Sequence, residues 1–345
     1  DGASAARLAD DRYAVLRAAD DGHDIAGEVA EAARAGGVEI AVRGSDVGLG
    51  GSAAPVHVLR ALRFAVEGCL KDEGLQNPEM TFTASLMRTL KDADRFRAVV
   101  RERRFDLHYQ PIVDLKTGAA THFEALARFS ADASPADTIH MAEELALIEG
   151  FDLAVAEKAV TRLRQPGAGL LKFAVNVSAA SLSVDSYVQN LLRLTGVSPE
   201  VRKRLIVEVT ETAAMADIDA ANRRLAALRQ AGVKVCIDDF GSGSAGFDYL
   251  RRLSVDAVKI DGGLVEGFEQ DLRATQVIRH IVDMCREMNL GVIAERVETE
   301  PCREALVALG VQQGQGYLFG RPEAEPRLPK RADPMRRRGE MEAWA

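Results

Sequence analysis

The stretch KVCIDDFGSG, residues 234–243, joins an apolar run to two adjacent aspartates and a glycine-rich turn. Its apolar part is typical of a strand that is buried on both faces, as the strands of parallel sheets are. Acidic side chains at the end of such a strand lie at the carboxyl edge of the sheet, where α/β folds place their ligands. Asp238 and Asp239 therefore indicate both a parallel α/β fold and the position of a site.

On both sides of this stretch, β-rich runs alternate with amphipathic helical patterns. The alternation predicts a parallel α/β architecture, and about eight strands favour a closed barrel, although the pattern alone also allows an open sheet. The predicted strands cover residues 107–113, 123–129, 172–178, 205–211, 233–240, 257–261, 292–297 and 316–319. The predicted helices cover residues 152–164, 184–194, 220–231, 272–288 and 302–309.

Acidic and amide side chains, together with one lysine, recur near the ends of these strands. A single acid of this kind is most often a helix N-cap or a surface residue, but a set at successive strand ends can converge on one barrel mouth. Clustered carboxylates stay ionised only beside cations, and oxygen ligands with an amide favour magnesium, manganese or calcium over zinc. The set is Glu124, Asn176, Glu208, Glu211, Asp238, Asp239, Lys259, Asp261, Glu295, Glu298 and Gln315.

A series of short motifs follows in a fixed order across residues 105–322. The motifs are YQPIVD (109–114), EALAR (124–128), NVS (176–178), EVTE (208–211), DDFGSG (238–243), KID (259–261), AERVET (294–299) and QGY (315–317). In that order they resemble the signatures of the EAL family of cyclic di-GMP phosphodiesterases, and chance agreement of all of them is negligible.

The resemblance implies a modified TIM barrel over residues 106–325, an α/β fold in which one strand runs antiparallel to the rest. It also implies metal-dependent hydrolysis of cyclic di-GMP to linear pGpG, with Mg²⁺ or Mn²⁺ in a two-metal site and inhibition by Ca²⁺. A homodimer formed through this domain is a further implication. The implied metal ligands are Glu124, Asn176, Glu208, Asp238, Asp239 and Glu295.

The same resemblance assigns roles to other residues. Lys259 would orient the attacking water, Gln315 would help to hold that water or the ligand, and Arg128 would contact a phosphate. Glu211 would brace the loop after Asp239. The implied catalytic residues are Lys259, Glu295, Asp239 and Glu211, and the implied substrate-binding residues are Gln110, Leu126, Arg128, Gln315 and Glu298.

Two motifs of the same region have a competing interpretation. GSGSAG (241–246) fits the GxGxxG pattern of dinucleotide-binding folds, but the two aspartates before it would repel a pyrophosphate unless a metal were bound. DFG (239–241) also occurs in protein kinases, whose other signature motifs this sequence lacks.

Several positions depart from the usual EAL pattern. They leave a second function open, that of a catalytically inactive receptor that binds cyclic di-GMP and signals through partner contacts. The complete set of metal ligands favours the enzyme. The departures are SAG (244–246) for Tyr-Ser-Ser, in the loop that couples dimerisation to metal binding, Arg296 for Gly, Gly262-Gly263 for Arg-Ser, and Phe129 for Trp.

The N-terminal part resembles a degenerate GGDEF diguanylate cyclase domain. Residues 6–16 are similar to its signature stretch, and a helix predicted at 61–74 is similar to its last helix. Because the two glycines are missing and Arg12 replaces a metal-binding acid, we expect no cyclase activity. The predicted organisation is a regulatory region at 1–83 that forms a smaller N-terminal α/β domain, a linker helix at 84–105, the EAL domain at 106–325 and a tail at 326–345.

Charge and cysteine content exclude several classes of protein. The net charge of −8, from 52 acidic and 44 basic residues, argues against a partner that is a DNA or RNA polymer. The four cysteines form no CxxC pair, which fits free thiols in a reducing compartment. No apolar run reaches the ~20 residues of a membrane span. We therefore expect a cytoplasmic protein with no membrane segment in this chain.

Overall fold

A computed structural model describes residues 4–9, 12–16, 21–42, 44, 60–61, 64, 78–129, 135–169, 171–196, 198–215, 217–241 and 247–327. The chain divides into two compact units, one formed by residues 1–99 with 136–147 and the other by residues 100–135 with 148–345. Every residue of the predicted metal site belongs to the second unit.

The first unit contains a two-stranded antiparallel hairpin and helices. Its elements lie in the N-terminal part of the chain, apart from one helix that includes residues 136–144. They are β1 (Ser4–Ala9), β2 (Arg12–Leu16), α1 (Ile25–Ala35), α2 (Pro78–Glu102) and α3 (Pro135–Glu144). Helix α2 covers most of the helix predicted at 84–105. Of the helix predicted at 61–74, only residues 61 and 64 lie within the described part of the chain.

The second unit is built around a closed barrel of eight strands. Its strands are β3 (Asp106–Asp114), β4 (Ala120–Arg128), β5 (Phe173–Val177), β6 (Leu205–Thr210), β7 (Lys234–Phe240), β8 (Ala257–Ile260), β9 (Gly291–Ala294) and β10 (Gln313–Gln315). Neighbours in the barrel are neighbours in the chain, and β10 closes the barrel against β3.

Among the described barrel strands, β3 alone runs against its neighbours. It pairs antiparallel with β4 and with β10. The pairs from β4 through β10 are all parallel. The structure therefore confirms a modified TIM barrel with one antiparallel strand.

The eighth strand differs from the prediction. The apolar pattern predicts it at residues 316–319, but β10 ends at Gln315 and pairs there with both β9 and β3. Backbone crowding explains the difference, because a Cβ on Gly316 would lie 2.5 Å from Val297 N and would overlap its carbonyl group. The chain passes directly over Val297 and then turns, so the prediction for this strand is wrong.

Helices pack around the strands. They are α4 (Ile148–Arg164), α5 (Ala179–Leu182), α6 (Asp185–Thr195), α7 (Pro199–Arg202), α8 (Glu211–Met215), α9 (Ile218–Gln230), α10 (Gly262–Val265), α11 (Leu272–Glu287) and α12 (Glu300–Leu309), with 3₁₀ turns at Phe247–Arg252 and Phe268–Gln270. All five predicted helices are present, with ends that differ by at most four residues. In the described part of the chain, no helix combines the length and apolar composition that a membrane span requires.

Helix α11 shows why these helices pack on the barrel. Its buried residues Ile278, Ile281, Val282 and Cys285 recur every three or four positions and so form one apolar face. Burial of each large aliphatic side chain stabilises the fold by about 1.5–3 kcal/mol. The helix begins after Asp271, whose side chain accepts hydrogen bonds from two backbone amides of the first turn.

An apolar layer lies across the inside of the barrel. Its members are Ile112, Ala174, Ile206, Cys236, Ala257 and Ile293. Because strand side chains alternate between two faces, the residue two positions further along each parallel strand also points inward. Those residues are Asn176, Glu208, Asp238, Lys259 and Glu295. The apolar layer therefore supports the predicted site from below.

Candidate functional site

Several predicted metal ligands gather at the carboxyl end of the barrel. Glu208 lies on β6, Asp238 on β7, and Glu295 directly follows β9. Glu124 on β4 and Lys259 on β8 complete a ring of contacting side chains. Because these strands are parallel, the side chains at their carboxyl ends share one mouth. The fold thus brings together residues that are far apart in the sequence.

Lys259 lies at the centre of this ring, with only 1% of its side chain exposed. Lys259 Nζ lies 2.7 Å from Glu295 Oε1, 2.9 Å from Asp238 Oδ1, 3.2 Å from Glu208 Oε2 and 3.7 Å from Glu124 Oε2. A buried ammonium is stable only beside such counter-charges. Burial opposes the charge of Lys259, but the carboxylates outweigh it and hold its pKa well above the ordinary value. The side chain is therefore a cation at neutral pH.

Amide side chains orient Glu124. Asn176 Nδ2 donates to Glu124 Oε1 at 2.7 Å, and Gln315 Nε2 donates to Glu124 Oε2 at 2.6 Å. Gln315 Nε2 also donates to Gln110 Oε1 at 3.0 Å. Burial raises the pKa of Glu124, but Lys259 and the hydrogen bonds from these two amide side chains together lower that pKa below its ordinary value. The carboxylate is thus ionised and fixed in one orientation.

Asp238 and Asp239 face the same mouth although they are neighbours in a strand. Adjacent side chains of a regular strand point to opposite faces. Asp239 has a φ of 53°, and the register between β7 and β8 shifts between Ile237 and Phe240. Aspartate is one of the few residue types besides glycine that tolerate this left-handed backbone. As a result, oxygen atoms of Asp238, Asp239 and Glu295 all lie within 4.8 Å of one another.

Glu211 holds the turn that follows Asp239. It is 3% exposed, it begins helix α8, and its Oε2 accepts a hydrogen bond from the Gly241 amide at 3.1 Å. Gly241 has a φ of 95°, a conformation that favours glycine. This contact fixes the point at which the chain leaves β7.

The cluster carries more negative charge than Lys259 balances. Burial raises the pKa of Glu208 well above its ordinary value, and burial with the charge of Asp238 raises the pKa of Asp239. Burial also raises the pKa of Glu295 to about 7, although Lys259 opposes the shift. Without further positive charge, part of the cluster therefore holds protons at neutral pH.

Divalent cations fit this set of donors. When the carboxyls of Glu124, Glu208, Asp238, Asp239 and Glu295 are all ionised, one ammonium leaves four negative charges uncompensated. Two buried oxygen atoms, Glu208 Oε1 and Gln315 Oε1, have no hydrogen-bond partner within the described part of the chain. Carboxylate and amide oxygens are ligands of hard divalent cations rather than of zinc.

Three predicted substrate-binding residues lie outside the cluster. Arg128 ends β4 and donates from Nη1 to the Ala127 carbonyl at 2.9 Å, and Leu126 is half-buried on the same strand. Glu298 is exposed. Within the residues that the structure describes, these three side chains form no hydrogen bond or ion pair with the carboxylates.

Asp152 is a structural part of the site that the motifs do not reveal. It is 6% exposed, and its Oδ2 accepts hydrogen bonds from Ser178 N at 2.9 Å, Ser178 Oγ at 2.7 Å and Ser181 Oγ at 2.7 Å. These bonds fix the loop directly after Asn176. The sequence gives no local signal for this role, because Asp152 begins a predicted helix 26 residues before Ser178.

Comparison with known proteins identifies the family of this barrel. A model of the EAL domain family matches residues 92–322. The chain belongs to the EAL domain family. The matched range includes all eight barrel strands and every residue of the mouth described above.

Longer curated proteins are similar to this chain over part of their length. The chain is 32% identical over 248 residues to cyclic di-GMP phosphodiesterase PA2567 of Pseudomonas aeruginosa, a match that covers 70% of this chain and 42% of the relative. It is 34% identical over 255 residues to the bifunctional diguanylate cyclase/cyclic di-GMP phosphodiesterase MucR of the same organism, covering 71% and 37%. The chain thus spans about two fifths of the length of these relatives.

A solved structure shows the same EAL fold. The PaMucR phosphodiesterase in its c-di-GMP complex matches with a TM-score of 0.63 at 33% sequence identity. The match covers 68% of this chain and 97% of that chain, so nearly the whole solved chain corresponds to about two thirds of this one.

Proposed function

We propose that this EAL domain hydrolyses cyclic di-GMP to linear pGpG in second-messenger signalling, with two divalent cations, Mg²⁺ or Mn²⁺, at the barrel mouth. The observation that carries the proposal is the carboxylate cluster around Lys259, in which Asp238, Asp239 and Glu295 place oxygens within 4.8 Å of one another. Relatives named as cyclic di-GMP phosphodiesterases support the choice of substrate.

The proposed metal ligands lie on four strands, β4 to β7, and directly after β9. Asn176 uses Nδ2 to hold Glu124, which leaves its Oδ1 available as a ligand. When bound, paired divalent cations lower the pKa of the attacking water and neutralise the phosphoryl oxygens. Ca²⁺ is expected to inhibit, because its looser coordination replaces the near-octahedral geometry of Mg²⁺. The full set is Glu124, Asn176, Glu208, Asp238, Asp239 and Glu295.

Lys259 acts in this proposal as a donor and a counter-charge rather than as a general base. Its raised pKa keeps the proton on Nζ at neutral pH. A fixed cation in a buried site stabilises negative charge that develops as the phosphodiester opens, and its N–H groups orient the attacking water. Glu211 acts through position, since it holds the Gly241 amide and with it the backbone after Asp239.

The dinucleotide is proposed to lie across the mouth. Arg128 supports this assignment, because within the described residues its guanidinium donates only to the adjacent Ala127 carbonyl, and its planar fork suits a phosphate. Gln110 and Gln315 are buried beside Glu124, where they can position ligand and water. The proposed substrate-binding residues are Gln110, Leu126, Arg128, Gln315 and Glu298.

A catalytically inactive cyclic di-GMP receptor is the second candidate. Arg296 favours it, because this residue directly follows the proposed ligand Glu295 at a position where the EAL pattern has Gly. Its side chain is 64% exposed, and its Nη1 lies 3.6 Å from Glu266 Oε2, so the departure from the pattern acts on the chain next to the ligand. The receptor would bind the dinucleotide without cleaving it and would signal through a partner.

A turnover assay separates the two functions. Purified protein with cyclic di-GMP and Mg²⁺ or Mn²⁺ is expected to form pGpG, detected by chromatography, and Ca²⁺ in place of these ions is expected to stop its formation. Glu124→Gln is expected to abolish turnover, whereas Glu200→Gln, which changes an exposed glutamate paired with Lys203, leaves it unchanged. Tight binding without pGpG would select the receptor. A protein that neither binds nor hydrolyses cyclic di-GMP would overturn both functions.

The organisation around the barrel is also part of the proposal. Residues 1–83 are proposed to be a degenerate GGDEF-like regulatory region, 84–105 a linker helix and 326–345 a tail. The sequence motifs support the first assignment, and helix α2 supports the second. We propose a cytoplasmic homodimer formed through the EAL domain. Light scattering on the purified chain measures its molar mass and so tests the dimer.

A further inference from the structure

A cavity opens at the end of the barrel opposite the carboxylates. Its volume is about 310 Å³, and residues at the amino ends of the parallel strands line it. Lys172 precedes β5, Lys234 begins β7, Gly291 begins β9 and Gln313 begins β10. The volume lies at the lower end of the roughly 300–1,000 Å³ that small-molecule sites occupy.

The floor of this cavity lies one layer beneath the carboxylate cluster. Each floor side chain stands two residues before a member of the cluster and therefore faces the same way along its strand. The floor residues are His122, Ile206, Cys236, Ala257 and Ile293, which precede Glu124, Glu208, Asp238, Lys259 and Glu295 in that order. The cavity and the carboxylate mouth thus lie at opposite ends of one barrel.

The rim of the cavity is positively charged. Lys172 and Lys234 line it, both are exposed, and neither forms an ion pair with another residue that the structure describes. Asp256 also lines it, but its Oδ1 accepts from Arg229 at 2.9 Å and its Oδ2 accepts from the Val235 amide at 2.9 Å. Two uncompensated ammonium groups in a chain of net charge −8 mark a place that attracts an anion.

A buried ring nitrogen lacks a partner in the same cavity. His122 is 6% exposed, and its Nε2 has no hydrogen-bond partner within the described residues. Its Nδ1 lies 3.0 Å from Thr121 Oγ1, and the single proton of that hydroxyl has two acceptors at 3.0 Å, the Ile112 carbonyl and Gln313 Oε1. The hydroxyl can therefore accept the Nδ1 proton, which leaves the Nε2 lone pair for a donor in the cavity. A buried polar atom without a partner costs about 1–3 kcal/mol.

We propose that this cavity binds a small anion that carries both a phosphate group and a hydroxyl group, as protonated inorganic phosphate and small phosphate monoesters do. Lys172 and Lys234 hold the phosphate oxygens as mobile point charges. The hydroxyl of the ligand donates to His122 Nε2, and Ile206 and Ile293 form the apolar part of the floor. The inference rests on the barrel fold and is independent of the proposed hydrolysis.

Calorimetric titration with inorganic phosphate and, separately, with glycerol 3-phosphate tests the proposal and distinguishes the two kinds of ligand. The full chain is titrated in EDTA, because the acidic mouth repels phosphate when divalent cations are removed. Lys172→Met and Lys234→Met are each expected to weaken binding of the tighter probe by about tenfold or more. Lys203→Met, which removes an exposed lysine at the end of α7, is the matched control and leaves binding unchanged.

A second measurement locates the anion. The bound probe is expected to protect Lys172 and Lys234, but not Lys203, from an amine-reactive label, as measured by mass spectrometry. Failure of both probes to bind at up to about 10 mM would overturn the proposal. Binding that persists unchanged in the Lys172→Met/Lys234→Met double variant would also overturn it. Neither result affects the proposed hydrolysis, which is measured at the other end of the barrel.

Discussion

Arg296 lies across Gly262, so that a Cβ on Gly262 would overlap the Cγ and Cδ atoms of Arg296 and lie 2.8 Å from its Nε. Arg296 has a φ of 49°, and backbone hydrogen bonds of the residues on both sides hold the chain in this conformation. The resemblance to the EAL pattern leads one to expect Gly where Arg296 stands and Arg where Gly262 stands. The two departures therefore form one structural unit.

A double-mutant cycle tests this coupling. Gly262→Ala is expected to lower the free energy of unfolding by about 1–3 kcal/mol, because the added Cβ overlaps the Arg296 side chain. In an Arg296→Gly background the same change is expected to cost less than about 0.5 kcal/mol. Urea unfolding of the four proteins measures both values. Gly169→Ala, whose Cβ would meet no atom within 4 Å, is the control. Equal losses in both backgrounds would show that the two residues are independent.

Removal of the central cation is expected to destabilise the barrel. Lys259→Met leaves buried carboxylates without their counter-charge, and we expect the free energy of unfolding to fall by about 3–5 kcal/mol in EDTA. Because divalent cations supply positive charge to the same carboxylates, Mg²⁺ is expected to restore part of the loss. Urea unfolding with EDTA and with Mg²⁺ measures both effects, and Lys203→Met is the exposed control. Unchanged stability in EDTA would mean that Lys259 does not hold the cluster together.

Cation binding is expected to release a proton near neutral pH. Burial raises the pKa of Glu295 to about 7, and a carboxyl must lose its proton before it binds a cation. The apparent affinity for Mg²⁺ is therefore expected to rise from about pH 5 to 7 and to level off above that range. Calorimetry in two buffers of different ionisation enthalpy counts the protons. Proton release that does not change with pH would contradict the assignment to Glu295.

The same carboxyl sets a pH dependence of stability in the metal-free protein. Glu295 loses its proton near its ordinary pKa of 4.5 in the unfolded chain and near 7 in the folded chain. Between these values the folded state binds more protons, so stability falls as the pH rises through the window. Thermal unfolding in EDTA is expected to show a falling Tm, with a shallower fall for Glu295→Gln. An identical slope in that variant would place the titration on another group.

Two substitutions at Asp239 separate its charge from its backbone conformation. Asp239→Asn keeps a residue type that tolerates positive φ, so we expect stability close to that of the native protein but turnover reduced by about hundredfold or more. Asp239→Ala is expected to lose the same activity and about 1 kcal/mol of stability in addition. Thermal unfolding and pGpG formation measure the two effects. Full turnover by Asp239→Asn would remove Asp239 from the metal ligands.

Most of the barrel follows from the sequence because its parallel strands are short apolar runs that end in polar residues. Residues 205–211 and 233–240, for example, are predicted within one residue of β6 and β7. The reversed direction of β3 is different, since an apolar pattern does not encode strand direction, and only the family resemblance supplied it. The eighth strand is mispredicted because three residues carry too little pattern, and close approach to Val297 at Gly316 cannot be read from a sequence.

The same limits apply to the site. Strand ends predict that acids converge at one mouth, but alternation alone would direct Asp239 away from Asp238. A positive φ and a register shift bring the two together, and neither has a signal in the strand pattern. Asp152 and the cavity lined by Lys172 and Lys234 depend on contacts between distant parts of the chain. Such contacts become visible only in the folded structure.

The number of manganese ions held by the carboxylate mouth tests the central claim most directly. Electron paramagnetic resonance during a Mn²⁺ titration is expected to show about two neighbouring ions per chain, with at least one lost in Asp239→Asn. The account would be contradicted by a chain that binds no Mn²⁺ at this mouth. It would equally be contradicted if the same ions remained after Asp238, Asp239 and Glu295 were all changed to amides.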